Sequence, residues 1–155
     1  MSQKNHVMII MKMWAMMNKD IKELNFSGKD FNKLVETAEI SKEEEIKLLD
    51  TFDYIMSVHE SIIGEGSREE KKIAKLFYTE THLVSLIPVI ESARRLEINP
   101  DSFGEWITDF FTNTAESIMT QYNEAVRIGS AKNANIVTRN NILVRSYEDY
   151  FNINK

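Results

Sequence analysis

Apolar side chains recur along this chain with the spacing of an α-helix, and no segment alternates apolar and polar residues as a strand does. Residues 7–17 read VMIIMKMWAMM, in which only the lysine is polar. This run is shorter than the roughly 20 residues that a membrane helix needs, and no small-x-small cleavage site follows it. It predicts a first helix over 4–24 that is buried on nearly all sides. Residues 25–28 end this helix, and a short second helix follows over 29–39.

Capping residues mark where the next two helices begin. Ser41 with Glu44, and Ser67 with Glu70, have the spacing of a capping box. In this motif the serine hydroxyl and the glutamate carboxylate each accept a hydrogen bond from a backbone N–H at the other residue. Apolar positions keep the helical period across 41–63, where a Gly-Glu-Gly segment ends the third helix.

Two prolines shape the second half of the chain. Pro88 lies inside a fourth helix predicted over 68–97, where it removes one backbone donor and predicts a kink or a break. Asn99-Pro100 is an N-cap followed by proline at the first helical position, and it opens a long apolar stripe over 100–128. A last amphipathic helix is predicted over 131–151. The predicted fold class is therefore all-α.

The amino-acid composition excludes several other classes of fold and function. The chain has 155 residues, enough for one domain, which we predict to span 1–155. Its 5 glycines and 2 prolines are too few for the turns of a β-sandwich or barrel. The absence of cysteine excludes disulfides, thiol catalysis and thiolate metal sites, and it favours a cytoplasmic location. The net charge of −5 argues against broad nucleic-acid binding.

Candidate catalytic and metal-binding groups are few. The histidines are His6, His59 and His82, and the latter two fall on or near apolar stripes. No His-x-x-x-His or Glu-x-x-His motif is present, so a di-iron bundle lacks its ligands, and we predict no metal and no heme. Because the sequence also lacks a Walker-type loop, a nucleophile elbow and a dinucleotide fingerprint, it predicts no catalytic residue and a protein that is not an enzyme.

Acidic clusters at 43–45 and 69–70 offer one alternative, a nucleotide hydrolase that holds Mg²⁺ between carboxylate-rich helices. Both clusters occupy the first turn of a predicted helix. Acidic residues are stabilised there by the helix dipole without any ligand, and this structural explanation is the more economical one.

A basic segment offers another alternative. Between Glu124 and Glu148 there is no acidic residue. A small helical regulator that binds nucleic acid through residues 127–145 is therefore the second hypothesis, against the simpler explanation of a solvated helix face. The basic residues of this segment are Arg127, Lys132, Arg139 and Arg145.

Three stretches carry a resemblance to a known family. They read SREEKKIAKLFYTETHLVSLIPVIESARRLE, NPDSFGEWITDFFTNTAESIMTQYNEAV and the terminal helix after SAKNANIV. In order and content they resemble heme-free globin-like sensor domains, among them the N-terminal domains of stressosome proteins and the sensor domains of sporulation histidine kinases. The chain ends at Lys155, where a kinase would continue, and so it is similar to the free-standing, plasmid-encoded sporulation-inhibitory proteins of spore-forming bacilli.

The resemblance implies a globin-like helical bundle without heme that forms a homodimer and holds a fatty acid in an apolar tunnel, with a bound chloride beside it. Its implied function is to inhibit sporulation signalling by titrating the signal of a sensor histidine kinase, or by forming mixed dimers with it. Aromatic residues beyond one stripe, including Tyr147, Tyr150 and Phe151, predict a dimer interface built from 100–128 and 131–151.

In a globin-like arrangement the tunnel is expected between the helix at 41–63 and the bent helix at 68–97, above the helix at 100–128. His59, Tyr78 and His82 are the polar groups predicted to receive a carboxylate head or an anion. The predicted apolar walls are Phe52, Ile55, Met56, Phe77, Leu83, Leu86, Ile87, Ile90, Phe110, Phe111 and Met119.

Overall fold

A computed structural model of the protein describes residues 3–154, which form α-helices and one short 3-10 turn at Ile21–Glu23, and contain no strand. The predicted all-α class is confirmed. Residues 1, 2 and 155 of the predicted domain lie outside the described residues. The helices are α1 (Gln3–Asn18), α2 (Gly28–Thr37), α3 (Lys42–Ile63), α4 (Arg68–Tyr78), α5 (Glu80–Arg95), α6 (Pro100–Asn113), α7 (Glu116–Val126) and α8 (Asn133–Phe151).

The predicted helix starts are confirmed by their capping bonds. Ser41 Oγ accepts a hydrogen bond from the backbone N–H three residues on, at 3.1 Å. Ser67 and Glu70 form the complete capping box, with bonds of 3.1 and 2.9 Å, and these bonds lower the pKa of Glu70. Asn99 Oδ1 caps α6, which has Pro100 in its first turn. These contacts are local, which is why sequence spacing alone predicts them.

The predicted bend of the fourth helix lies at a different residue. The chain turns by 78° at Thr79, which ends α4 and begins α5 with an extended backbone, φ −64° and ψ 128°. Pro88 sits inside α5, which continues through it. A proline removes a single backbone bond, and α5 is buried along most of its length, so packing holds the helix together across that missing bond.

The predicted long helix over 100–128 is also two helices. Thr114 and Ala115 are extended and separate α6 from α7. The Thr114 hydroxyl donates to the carbonyl of Phe110 at 2.6 Å. Thr51 makes the same kind of bond inside α3, which stays unbroken, so the hydroxyl does not by itself end a helix. After the break, α7 packs against α8.

The core is one continuous apolar cluster with members from every helix. α5 lies at its centre and packs against α1, α8, α4 and α3, while α3 packs against α6 and α4. α1 ends at Asn18, earlier than predicted, and the 3-10 turn after it contacts α8. Long aromatic side chains fill the middle of the cluster, among them Phe103, Trp106, Phe110 and Tyr147.

Within the described chain, no helix taken singly has the length and apolar composition needed to cross a membrane. α4 and α5 meet that criterion only when they are counted together, across the 78° bend between them.

Removing the hydroxyl that caps α4 should destabilise the protein. We expect Ser67→Ala to lower the free energy of unfolding by about 1 kcal/mol, because it removes the oxygen that accepts the N3 backbone N–H. Urea unfolding at neutral pH measures this change. Ser57→Ala is the control, since Ser57 is exposed within α3, and it should leave stability unchanged or slightly higher. Equal losses in the two variants would contradict a capping role.

Candidate functional site

Most side chains predicted to line an apolar tunnel are packed into the closed core. Of the residues predicted to line the tunnel, only Phe110 borders one of the pockets described between residues 3 and 154. A tunnel here would require the surrounding helices to separate, so fatty acid binding at this place stays a prediction. The buried members are Ile55, Phe77, His82, Leu83, Leu86, Ile87, Ile90 and Phe110, and the half-buried members are Phe52, His59, Phe111 and Met119.

Two members of the predicted site are corrected by the structure. Met56 is exposed because α3 directs its neighbour Ile55 inward, and successive helical residues point about 100° apart. Tyr78 is exposed at the last residue of α4. Its ring stacks on that of His59, with ring centroids 3.7 Å apart, and burial lowers the pKa of His59. These two rings, which were predicted to receive a carboxylate head or an anion, stack on each other, and that role stays a prediction.

His82 is the one predicted polar group that is buried, and its partner is Tyr122. The Nδ1 of His82 and the phenolic oxygen of Tyr122 share a hydrogen bond of 2.7 Å, and the two rings stack. Burial, followed by the charge of Arg139, lowers the pKa of His82 to about 4. Burial also raises the pKa of Tyr122. Both groups are therefore neutral at pH 7, and they form an uncharged polar pair inside the core.

Arg139, on the buried face of α8, holds three helices together. The side chain is only 3% exposed. Its Nε donates to the hydroxyl of Ser85 in α5 at 2.8 Å, and its Nη1 donates to the carbonyl of Ala125 in α7 at 2.6 Å. That carbonyl is among the last four of α7, which have no partner inside their own helix. The guanidinium thus satisfies a helix end that also carries partial negative charge.

No carboxylate balances this buried charge. Among the described residues, the ion pairs join Lys12 to Glu80, Lys42 to Glu45 and Arg94 to Asp50, and none includes Arg139. Burial lowers the pKa of Arg139, but a guanidinium stays protonated in proteins. A buried cation without a counter-ion costs several kcal/mol, and the partial charge of a helix end offsets only part of this cost.

A small pocket of about 170 Å³ lies beside Arg139. Lys12 reaches the same pocket and forms an ion pair of 2.6 Å with Glu80. Two cations and one carboxylate line the space, so its formal charge is positive, and two hydroxyl groups add further donors. This chemistry suits an anion of the size of a phosphate, sulfate or carboxylate group. The lining residues are Lys12, Phe26, Glu80, Thr81, Val84, Ser130, Ala131 and Arg139.

Five separate segments build this pocket, which is why its composition was not apparent in the sequence. α1 contributes Lys12, the first turn of α5 contributes Glu80, and the loop between α7 and α8 contributes Ser130. A backbone hydrogen bond of 2.9 Å from Phe26 to Ala131 joins the segment after α1 to that loop. One signal was present: Arg139 follows Ile136 by three residues and precedes Leu143 by four, which places a charge on an apolar helix face.

The burial of Arg139 also bears on the basic segment 127–145. Arg127, Lys132 and Arg145 are exposed, whereas Arg139 is buried and bonded to protein groups, so it cannot reach a nucleic-acid backbone. The nucleic-acid hypothesis therefore rests on three cations spread over two elements. Asn140, next to Arg139, is likewise buried, and its Nδ2 has no hydrogen-bond partner among the described residues.

Across residues 3–154, the histidine and acidic side chains form no cluster of three or more with metal-binding spacing. The candidate site is therefore defined by its cations and hydroxyl groups.

Neutral His82 should make stability depend on pH. The folded pKa of about 4 lies below the ordinary value of 6.5, so the unfolded chain binds the proton more readily. The stability that neutral His82 contributes to the folded state is complete above pH 6.5 and is lost as the pH falls toward 4. Between pH 7.5 and 5, we expect the wild type to lose about 2 kcal/mol more than His82→Gln.

Urea unfolding at the two pH values measures this difference. His6→Gln is the control, because His6 is exposed in α1, and it should keep the wild-type pH dependence. Identical pH dependence in the wild type and His82→Gln would contradict a buried, neutral His82.

The Arg139 pocket combines a buried cation, a second cation on α1 and room for a small anion, and these features are the grounds for assigning a function. Comparison with models of protein families, with curated proteins and with solved structures finds no match to this chain.

Proposed function

We propose that this chain is a non-enzymatic ligand-sensing domain whose ligand is an anion, or the acidic headgroup of a larger molecule, bound beside Arg139. The observation that supports this proposal is a buried guanidinium without a carboxylate partner at the edge of a pocket of about 170 Å³. An anion there supplies the missing counter-charge. The site has no nucleophile activated by a base, so binding is the activity that its chemistry favours.

Ligand binding at this position would join segments that are far apart in the chain. Arg139 on α8 is bonded to α5 and α7, and Lys12 on α1 is bonded to Glu80 on α5. An anion that accepts hydrogen bonds from both cations competes with Glu80 for Lys12. Its binding free energy stabilises the arrangement in which α1, α5 and α8 meet, and this preference is how a ligand shifts a conformational equilibrium.

The family resemblance extends this proposal to a fatty acid and to sporulation signalling. A carboxylate head suits Arg139, and Phe26, Val84 and Ala131 give the pocket apolar walls. The tail would require room between α1 and α5, where α1 contributes methionines, whose flexible side chains adapt to irregular ligands. On this proposal, the domain binds the fatty acid and so withdraws this signal from a sensor histidine kinase. A chloride is the second anion that the domain binds.

A homodimer belongs to the same proposal. A groove of about 580 Å³ between α6, α7 and α8 includes the exposed side chains of Ile118 and Tyr150, and it lies on the face predicted for dimerisation. Of the aromatic residues that motivated this interface, Tyr147 is buried and shares a hydrogen bond with Ser92. Tyr150 and half-buried Phe151 therefore remain the aromatic residues available to a partner.

Anion binding should raise thermal stability through Arg139. At a ligand concentration ten times the Kd, phosphate, acetate or chloride is expected to add about 1.4 kcal/mol of stability, which is a Tm rise of a few degrees in a chain of this size. Differential scanning fluorimetry measures the rise, with the wild type and all variants compared in the same salt solutions. Arg139→Gln should abolish it.

Two further variants keep this experiment decisive. Arg145→Gln removes an exposed cation of the same helix outside the pocket and should keep the full rise. Lys12→Gln changes the pocket from the side of α1 and should reduce the rise even if Arg139→Gln does not fold. An anion-induced rise that survives in both pocket variants would contradict the site.

The fatty acid proposal is tested separately. Native mass spectrometry of protein purified from cells should show added mass of a C14–C18 acid, which Arg139→Gln loses and Arg145→Gln keeps. If the wild type carries no such mass and takes up no palmitate when incubated with it, the fatty acid proposal is wrong, and the anion proposal is then judged on the thermal data alone.

A further inference from the structure

α3 carries a second apolar stripe on the face opposite the core. Its buried face consists of Leu48, Thr51, Ile55, Val58 and Ile62. On the other side, Ile46, Leu49 and Met56 are 49%, 56% and 55% exposed. Single exposed apolar residues are ordinary, but three large ones aligned on one helix face are typical of a surface that another molecule covers.

The spacing of this outer stripe is that of a coiled-coil seam. Ile46, Leu49, Asp53, Met56 and Glu60 follow one another in steps of three, four, three and four residues. This alternation is the a/d pattern, which places every member along one side of a helix so that a second helix can lie against it. Asp53 and Glu60 are exposed as well, so the whole stripe faces solvent.

The charges on the stripe indicate which kind of helix fits it. Asp53 and Glu60 lie within the seam, and residues 48–63 contain no lysine or arginine. The described ion pairs of α3 use Glu45 and Asp50, so neither seam carboxylate is engaged in one of them. A partner with lysine or arginine opposite these carboxylates gains attraction, whereas a second acidic stripe is repelled.

We propose that this outer stripe, Ile46–Leu49–Asp53–Met56–Glu60, is a docking site for a cationic amphipathic helix of a partner protein. The partner helix lies along α3 with its apolar residues on Ile46, Leu49 and Met56 and its basic residues on the two carboxylates. Three half-exposed side chains give a small contact area, which suits an interaction that forms and dissociates readily. The inference does not depend on the anion site.

A labelled peptide of about three heptads, with leucine at the positions that face Ile46, Leu49 and Met56 and lysine at the positions that face Asp53 and Glu60, is the probe. Fluorescence anisotropy measures its Kd for the full chain, at peptide concentrations where the peptide alone is monomeric. We expect binding that weakens with added salt, and no binding of a matched peptide with glutamate in place of each lysine. Leu49→Gln and Met56→Gln should each raise the Kd about tenfold.

Matched variants separate this face from general attraction to an acidic protein. Asp53→Asn with Glu60→Gln should weaken binding and reduce its salt dependence. Leu96→Gln at the end of α5 and Glu105→Gln in α6 remove an exposed apolar and an exposed acidic residue elsewhere, and they should change the Kd by about twofold or less. All of these positions are exposed, so thermal unfolding should show that the variants fold.

Three results would overturn the proposal. They are the absence of peptide binding, equal effects of the stripe variants and their controls, and a dimer of the full chain that Leu49→Gln dissociates. The last result would assign the stripe to a second copy of the chain. Lys12→Gln, which changes the anion pocket from α1, should bind the peptide as the wild type does, so the outcome is independent of whether the anion site is correct.

Discussion

The buried guanidinium of Arg139 is the interaction on which the rest of the structure depends. It bonds to Ser85 in the central helix α5 and to the carbonyl of Ala125 near the end of α7, so one side chain joins three helices. A charge that is 3% exposed must be compensated, because its desolvation costs several kcal/mol. The polar surroundings of α5, with neutral His82 and Tyr122 close by, are consistent with a core arranged around this cation.

The same constraint connects the fold to a function. If Arg139 served only to connect helices, a carboxylate could neutralise its charge, as Glu80 neutralises the charge of Lys12. Instead, Arg139 borders a small pocket with a second cation and hydroxyl groups. On the proposal of an anion ligand, this arrangement is costly without the anion and favourable with it, which is the thermodynamic condition for a domain that responds to its ligand. The Met-rich helix α1 reaches the pocket through Lys12, and the proposal makes it the element that responds to the anion.

The outer face of α3 has a different physical character. Its inner face packs in the core against α6 and α4. The apolar residues on the outer face contribute nothing to that packing, and each exposes hydrophobic surface to water. Their heptad spacing and the carboxylates between them make the face specific in both shape and charge. A helix with two such faces can take part in the core and in recognition at once.

Local chemistry made much of the fold predictable. Ser41, Ser67 and Asn99 mark true helix starts, because a capping bond joins residues three apart and needs nothing from the rest of the chain. The bend at Thr79, the exposure of Met56 and Tyr78, and the bonding of Arg139 depend on which helix faces meet. No residue spacing encodes those meetings, since Lys12, Glu80 and Arg139 are distant in the chain and adjacent in the pocket. Burial and charge compensation, which act only once the helices have packed, assembled the candidate site.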